Sequence, residues 1–282
     1  MNRVPALSVI VRTLARNERL AECLDSLAAQ TTRDFEVVVV DMSGGAAADV
    51  IRQPRDLHLT HLDTKGRVLN RAVALNYGIR HALGKFIAVL DDDNIWSPPQ
   101  AETLIRLFGN DMDLVYTGTR RLINKPDGTK VREEYRFTPF DYEKLIRGNF
   151  IYATAMAFRK SSWERVGRYD ARFHVYEDWE FLIRLAQSGK VATEESFWAY
   201  SRSFTGIPGV SDHNLDKADC DRCRAAVVWK HRQLYASDLA ETGSTTQVRR
   251  VLEKPLRERM FLLFDWWRVH GFANLKFYSW NQ

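Results

Sequence analysis

Apolar positions along the chain alternate between short unbroken runs and stripes at helical spacing. Leu7 to Val11 is such a run, broken only by Ser8, as expected of a strand covered on both faces. Arg12 to Glu18 is a polar turn. Leu20, Leu24, Leu27 and Ala28 then recur with a helical period, predicting an amphipathic helix to about Gln30. Phe35 to Val40 is a second run, broken only by Glu36 and closed by Asp41 and a Ser43-Gly44-Gly45 turn. Strand, helix and strand within about 35 residues make a βαβ unit, hence a parallel sheet with a right-handed crossover.

The alternation continues. Leu57 to Leu62 predicts a short third strand, and Lys65-Gly66-Arg67 a basic turn. Asn70 to Leu83 carries Ala72, Leu75, Ile79, Ala82 and Leu83 on one helical face, with Gly84 as its stop. Phe86 to Leu90 is an apolar strand running straight into Asp91-Asp92-Asp93. Ser97-Pro98-Pro99 opens a helix through about Phe108. Asp113 to Gly118 reads as another strand, and Tyr116 to Thr138 as a β excursion at the sheet rim. Its turn is Lys125-Pro126-Asp127-Gly128. After the apolar stretch Phe150 to Phe158, Ser162 is placed to cap a short helix that Gly167 closes. Trp179, Leu182, Ile183, Leu185 and Ala186 make a further helix, with Glu177 and Asp178 at its amino end and Gly189 as its stop. From Asp216 onward helical spacing and charge dominate, and the final stretch is rich in Phe and Trp.

Composition narrows the function classes. The 282 residues are 45% hydrophobic and 27% charged, the balance of an ordinary globular chain. The longest apolar runs, such as Met260 to Phe264, fall far short of the roughly 20 residues of a membrane helix. Met1 to Pro5 leads into the first strand without a signal-peptide layout. Three cysteines fit a reducing compartment, and a cytoplasmic location is expected. The net charge of +5 suits anionic ligands such as nucleotides or an anionic membrane surface. With the bases dispersed, no nucleic-acid partner is expected.

The candidate chemistry lies at the acids. Three adjacent carboxylates resist burial without partners. They belong at the strand's carboxyl end, in the crevice where open α/β sheets bind ligands. An oxygen-only cluster suits Mg²⁺ or Mn²⁺, above all with a phosphate as co-ligand; the competing reading is a solvated acidic turn. Asp41 is either ligand-facing or the cap of the next turn. Arg67 and Arg71 are cations near the triplet's mouth, or part of a solvated helix face. Glu177 and Asp178 stand where the helix dipole favours negative charge. Neither G-x-G-x-x-G nor a P-loop is present. Cys220 and Cys223, flanked by His213 and His231, invite a zinc reading, but the spacing to either histidine misses the usual pattern.

Four blocks together resemble the inverting nucleotide-sugar glycosyltransferases of family 2. They are the opening Leu7 to Asp41, the approach Ala74 to Ile87, the D-x-D-like Leu90 to Trp96, and Ala157 to Asp170 leading to Glu177-Asp178-Trp179-Glu180. The resemblance covers about residues 5 to 205. It implies the GT-A fold, a Rossmann-like mixed, mainly parallel α/β sheet flanked by helices. It also implies Mn²⁺ or Mg²⁺ bound by Asp93, with Asp92 or Asp91 holding the ribose or a metal-bound water. Thr13 and Asp41 would face the nucleoside base, and Arg67 or Arg71 the base or phosphate. Asp178 would be the general base with Glu177 in support, or the reverse. His213 is a candidate third metal ligand. Met42 stands where the family often has a second acid, and Arg12-Thr13 where it often has Pro-Thr. These departures bear on nucleotide identity.

The expected organisation is a catalytic domain over 1–215, with a nucleotide-sugar half to about 96 and an acceptor half from 97. A helical, aromatic-rich extension over 216–282 follows. The expected activity is metal-dependent, inverting transfer of a hexosyl or related sugar from a nucleoside-diphosphate donor. The acceptor is a hydroxyl of a glycan, a lipid-linked glycan or another molecule, in bacterial-type polysaccharide or glycoconjugate synthesis. The rival is a non-catalytic nucleotide-sugar-binding protein on the same fold. Residues 248–282, with basic residues beside Trp and Phe, suit a peripheral contact with the inner membrane face or a homodimer.

Overall fold

The computed structural model describes residues 4–235 apart from 68, 110, 126, 128 and 205–216. Its first half is the expected alternation. β1 (Leu7–Thr13), α1 (Asn17–Ala28), β2 (Phe35–Asp41), a five-residue α2 (Ala48–Arg52) and β3 (Leu59–Asp63) lead to α3 (Arg71–His81) and β4 (Phe86–Asp91). These four strands lie in the order β3-β2-β1-β4, all parallel.

Side chains alternate across each strand, which explains the unbroken runs. Ile10, Val38, Val40 and Val89 enter one core, beneath α3. Val9, Val11, Val37, Val39 and Leu90 enter the other, with Leu20, Leu24 and Leu27 of α1. Asn70 caps α3 by accepting from the Val73 amide at 2.8 Å.

The second half widens the sheet. β5 (Ile95–Trp96), α4 (Gln100–Phe108), β6 (Leu114–Asn124) and β7 (Lys130–Arg136) come first. α5 (Tyr142–Arg147) and a 3-10 turn (Ala153–Ala155) follow, then β8 (Met156–Arg159), α6 (Lys160–Val166), α7 (Glu177–Ser188), β9 (Val191–Phe204) and α8 (Lys217–Lys230). The sheet reads β3-β2-β1-β4-β8-β6-β9-β5, with β7 on β6. β8 is antiparallel to both its neighbours, and β6 and β9 are parallel to each other. This is the mixed, mainly parallel sheet that was expected.

α8 sends Cys223, Ala226, Val227 and Val228 into the α3-side core. Its end is tied down by ions: the buried carboxylate of Glu180 receives Arg184, Lys230 and His231. Among the described residues no helix is long and apolar enough to cross a membrane. Residues 248–282 lie outside those described.

One local expectation is corrected. Ser162 does not cap α6, which begins at Lys160 after Arg159. Ser162 is buried inside the helix, and its hydroxyl donates to Asp113; the tertiary acceptor outcompetes the helix end. α2 and β9 were not expected, and β6 runs on into the rim excursion.

The α3–β4 connection is tight. Glu36 Oε1 accepts from the Leu83 amide at 2.5 Å and from Ser8 Oγ at 2.6 Å, while Ser8 Oγ accepts from the Gly84 amide at 2.8 Å. A Cβ on Gly84 would lie 2.7 Å from the Ser8 amide nitrogen, so backbone must move to admit it. Gly84→Ala is therefore expected to destabilise by about 1–3 kcal/mol. Gly148→Ala, with nothing within 4 Å, should stay within about 0.5 kcal/mol of the parent in the same urea titration.

Candidate active site

β4 carries its apolar run to Leu90, and the three aspartates follow where the core ends. Each meets a cation or hydroxyl from the first strand–helix connection. Arg12, in register with Asp91 across the β1/β4 pair, donates from Nη2 to Asp91 Oδ1 at 2.6 Å. Thr13 Oγ1 donates to Asp92 Oδ2 at 2.7 Å. The chain then turns through Ala15, at φ 59°, and presents Arg16. Its Nε donates to Asp92 Oδ2 at 3.2 Å, its Nη2 to Asp92 Oδ1, and its Nη1 to Asp93 Oδ2 at 2.7 Å.

Side-chain exposure separates the three acids: 26% for Asp91, none for Asp92 and 14% for Asp93. Burial opposes the charge on Asp91, but Arg12 and Arg71 outweigh it and hold that carboxyl at about 2. Burial wins at Asp92 and pushes it up to about 6, against Arg16 and Thr13. Asp93 is raised by burial and by the neighbouring charge of Asp91.

The second acidic pair opens α7, after Tyr176 in the left-handed region at φ 61°. Glu177 is buried and Asp178 half-buried. Asp178 Oδ1 accepts from the Trp179 amide at 2.8 Å and its Oδ2 from Asn149 Nδ2 at 3.1 Å. Burial, then the charge of Glu177, raises Asp178 to about 6. The helix start is fixed because Trp179 Nε1 donates to the Leu145 carbonyl at 2.7 Å.

Arg71, in the first turn of α3, joins the two acidic groups. Its Nη2 lies 3.7 Å from Asp91 Oδ2 and its Nε 3.6 Å from Glu177 Oε1. Between the groups lies a cleft of about 220 Å³, with Arg12, Arg71, Asp91, Glu177 and Asp178 on its walls and Leu75 among its apolar residues.

The predicted residues divide accordingly. Asp91, Asp92, Asp93, Thr13, Arg71, Glu177 and Asp178 converge on this region. Asp41 is buried one strand away, accepting from the Ser43 amide and hydroxyl at 2.8 and 2.6 Å, with His61 Nε2 at 3.1 Å. It does hold the following turn. Arg67 is exposed in the turn after β3 and does not line the cleft. His213 lies outside the described residues. Cys223 is buried with its sulfur 3.7 Å from the His174 ring nitrogens, and His231 is paired with Glu180. Arg12 and Arg16 were read as part of a polar turn, and Arg12 also as a departure from the family's pattern, but neither as a partner of the triplet.

Among the described residues no three His, Cys, Asp or Glu side chains converge as a cage for a metal ion. An all-protein cage is not what Mg²⁺ or Mn²⁺ needs, since one or two carboxylates plus phosphate oxygens and water suffice. The partly exposed Asp93 meets that requirement, and the charge balance agrees. Among the described residues, Asp91, Asp92, Asp93 and Glu177 form ion pairs with Arg12, Arg16 and Arg71, and Asp178 has none beside it. Burial, and after it the neighbouring carboxylates, raises Asp92, Asp93 and Asp178, and a bound cation would favour their ionised forms.

Comparison with known proteins gives a consistent picture. The family model described as Glycosyl transferase family 2 matches residues 8–167, more than half of the chain. A PGL/p-HBAD biosynthesis glycosyltransferase of Mycobacterium tuberculosis is 29% identical over 229 residues, which is 76% of this chain and 82% of that protein. Among solved structures, residues 1–349 of S. aureus TarS in complex with UDP-GlcNAc superpose with a TM-score of 0.62 at 16% identity, covering 94% of this chain and 81% of that one. The mannosyltransferase PcManGT from Pyrobaculum calidifontis, in complex with GDP-Man and Mn²⁺, gives a TM-score of 0.54 at 19% identity, covering 89% and 69%. At these identities the structural likeness establishes the GT-A fold.

The Arg16–Asp92 pair generates a stability prediction. In EDTA, Arg16→Ala leaves the fully buried Asp92 without its guanidinium and should cost about 2 kcal/mol, discounted from a deeply buried pair because Arg16 is partly exposed. Adding Asp92→Asn should recover at least half of that loss in a double-mutant cycle. An Arg16→Ala protein with the parent's melting temperature would contradict the pairing.

Proposed function

The chain belongs to glycosyl transferase family 2, and on that premise we propose that it transfers a sugar, with inversion and with Mn²⁺ or Mg²⁺, from a nucleoside-diphosphate donor to an acceptor hydroxyl. The observation that carries this reading is the cleft itself, with Asp91 of the acidic triplet on one side and the raised carboxyl of Asp178 on the other. The chain is a glycosyltransferase by family, which sets aside the reading as a non-catalytic binding protein. The donors named for the neighbouring structures, UDP-GlcNAc and GDP-Man, support a nucleotide sugar as donor here. Synthesis of a polysaccharide or glycoconjugate is the fitting context, and the acceptor is a glycan, lipid-linked or other hydroxyl.

Asp93, with Asp92 behind it, would hold the metal; His213 keeps its candidacy as a further ligand. When bound, the metal neutralises charge developing on the departing diphosphate. Arg71 and Arg12 lie on the same side and would face the diphosphate, and Thr13 and Asp41 are assigned to the nucleoside. The acceptor hydroxyl gives its proton to Asp178 as its oxygen bonds to C1 of the sugar. The C1–oxygen bond to the diphosphate breaks, and its electron pair leaves with the diphosphate. A carboxyl near 6 is matched to this work, since it is ionised at neutral pH yet basic enough to accept a proton. Glu177 contacts Arg71 and supports the charge balance of Asp178.

Two outcomes are expected. Asp178→Asn should lower kcat about 10²–10⁴-fold while leaving nucleoside-diphosphate binding with Mn²⁺ unchanged. Asp93→Ala should lose both turnover and the difference between Mn²⁺ and EDTA in that binding. For the parent enzyme, kcat/KM should fall tenfold per unit as pH drops below about 6, because the base is then protonated, and should be flat just above it. Near-parental turnover by Asp178→Asn would overturn the base assignment.

A further inference from the structure

The connection between β1 and α1 breaks three local rules in succession. Ala15 lies at φ 59°, a region that residues with a Cβ rarely adopt. Arg16 follows at the amino-terminal cap of α1 and makes no side-chain cap hydrogen bond, although Ser, Thr, Asp, Asn or Gly is the usual choice there. Its cation also stands at the positive end of the helix dipole. None of this favours α1. Rules broken together without local gain mark a segment held for another purpose.

The purpose is visible at the side chain. Arg16 donates to both oxygens of Asp92 and to Asp93 Oδ2, the last at 2.7 Å. One guanidinium thus contacts three of the four carboxylate oxygens of these two residues. The contacts are unequal. Asp92 has no side-chain exposure and also accepts from Thr13 Oγ1, so its hold on Arg16 is shielded. The side chains of Asp93 and Arg16 are 14% and 27% exposed, so solvent and ions reach their contact. Asp93 is also the carboxylate assigned above to the metal. A carboxylate can offer one oxygen to a guanidinium and the other to a divalent cation, but the two cations then repel each other at close range.

We propose that Arg16 is a resident counter-ion that competes with the metal for Asp93, and so makes metal binding depend on the nucleotide. This rests on the metal-dependent reading above and adds the residue that controls loading. Without nucleotide, a metal ion gains Asp93 only at the expense of Arg16, and the displaced guanidinium edge is left without a carboxylate. A nucleoside diphosphate supplies the missing partner, since its oxygens accept charge-assisted hydrogen bonds from arginine. Metal and nucleotide then strengthen each other's binding by the same factor. Arg12 and Arg71 do not duplicate the role, because their ion pairs are to Asp91 and Glu177. Arg19 acts on Asp93 through its charge, more weakly than Arg16.

The test is equilibrium Mn²⁺ binding, read from the EPR signal of the free ion, with UDP, GDP and dTDP each absent or present. It compares the parent with Arg16→Ala and with Arg16→Gln, which keeps a hydrogen-bonding side chain beside Asp92. Parent affinity for Mn²⁺ should rise roughly tenfold or more with the nucleotide the enzyme uses. In both variants affinity for Mn²⁺ alone should rise about tenfold, and the nucleotide should add less than it does in the parent. Adding Asp93→Ala to Arg16→Gln should abolish the gain. An arginine that only braces the site predicts the opposite, weaker Mn²⁺ binding once it is removed. If Arg16→Ala does not fold, Arg16→Gln and the parent decide. Unchanged or weaker affinity for Mn²⁺ alone in a folded Arg16 variant overturns the proposal. So does a parent affinity that is the same with and without every nucleotide. If the parent binds no Mn²⁺ even with all three nucleotides, the metal-dependent reading itself fails and takes this one with it.

Discussion

Negative charge collected at the carboxyl end of β4 is the constraint from which the rest of the site follows. A parallel strand delivers its last residues into a crevice, and here those residues are Asp91, Asp92 and Asp93. Their desolvation costs several kcal/mol per ion unless partners are supplied. The fold supplies three guanidiniums from two places: Arg12 and Arg16 from the β1–α1 connection and Arg71 from the start of α3. Arg71 carries the compensation across to Glu177. Burial nevertheless outweighs the compensation at Asp92 and Asp178, which both sit near 6. A site left short of positive charge is suited to receive a divalent cation and to keep one carboxyl basic.

Rigidity around the cleft serves the same end. The walls belong to elements fixed by unrelated contacts: the Glu36–Ser8 clasp beneath β4, the Asn76 clamp on Tyr169, and the Trp179 bond to Leu145. Glu180, two residues beyond Asp178, is held well below the ordinary carboxylate range as Arg184, Lys230 and His231 outweigh its burial. Two acids in one helical turn thus have opposite environments. Asp178 has an amide from its own helix and Asn149, and stays basic; Glu180 has three cations and stays charged as a structural anchor. Preorganisation of this kind lets a site act on developing charge without rearranging.

Much of this was legible in the sequence wherever one periodicity dominated. The runs of β1, β2 and β4 are buried on both faces, so each residue of the run reports the strand. The triplet was visible because three adjacent carboxylates resist burial without partners, and the Glu177-Asp178 pair because it opens an apolar helical stripe. β9 was not legible, because Val191–Phe204 mixes Glu, Ser and Arg with aromatics and owes its state to long-range pairing with β6. Ser162 was misassigned because Asp113, 49 residues away, competes for its hydroxyl. Arg16 was missed for a related reason: its partners lie 76 and 77 residues on, and no local pattern announces them.

The proposed transfer is a single displacement across the cleft, in which Asp178 would receive the proton on the face opposite the diphosphate. The most direct test is the stereochemistry of donor hydrolysis, with water standing in for the acceptor. In the first minutes after the enzyme is mixed with the preferred nucleotide α-hexose and Mn²⁺, proton NMR should show the released sugar as the β anomer, which then mutarotates. Initial release of the α anomer would mean retention, and would contradict the single displacement and the role given to Asp178.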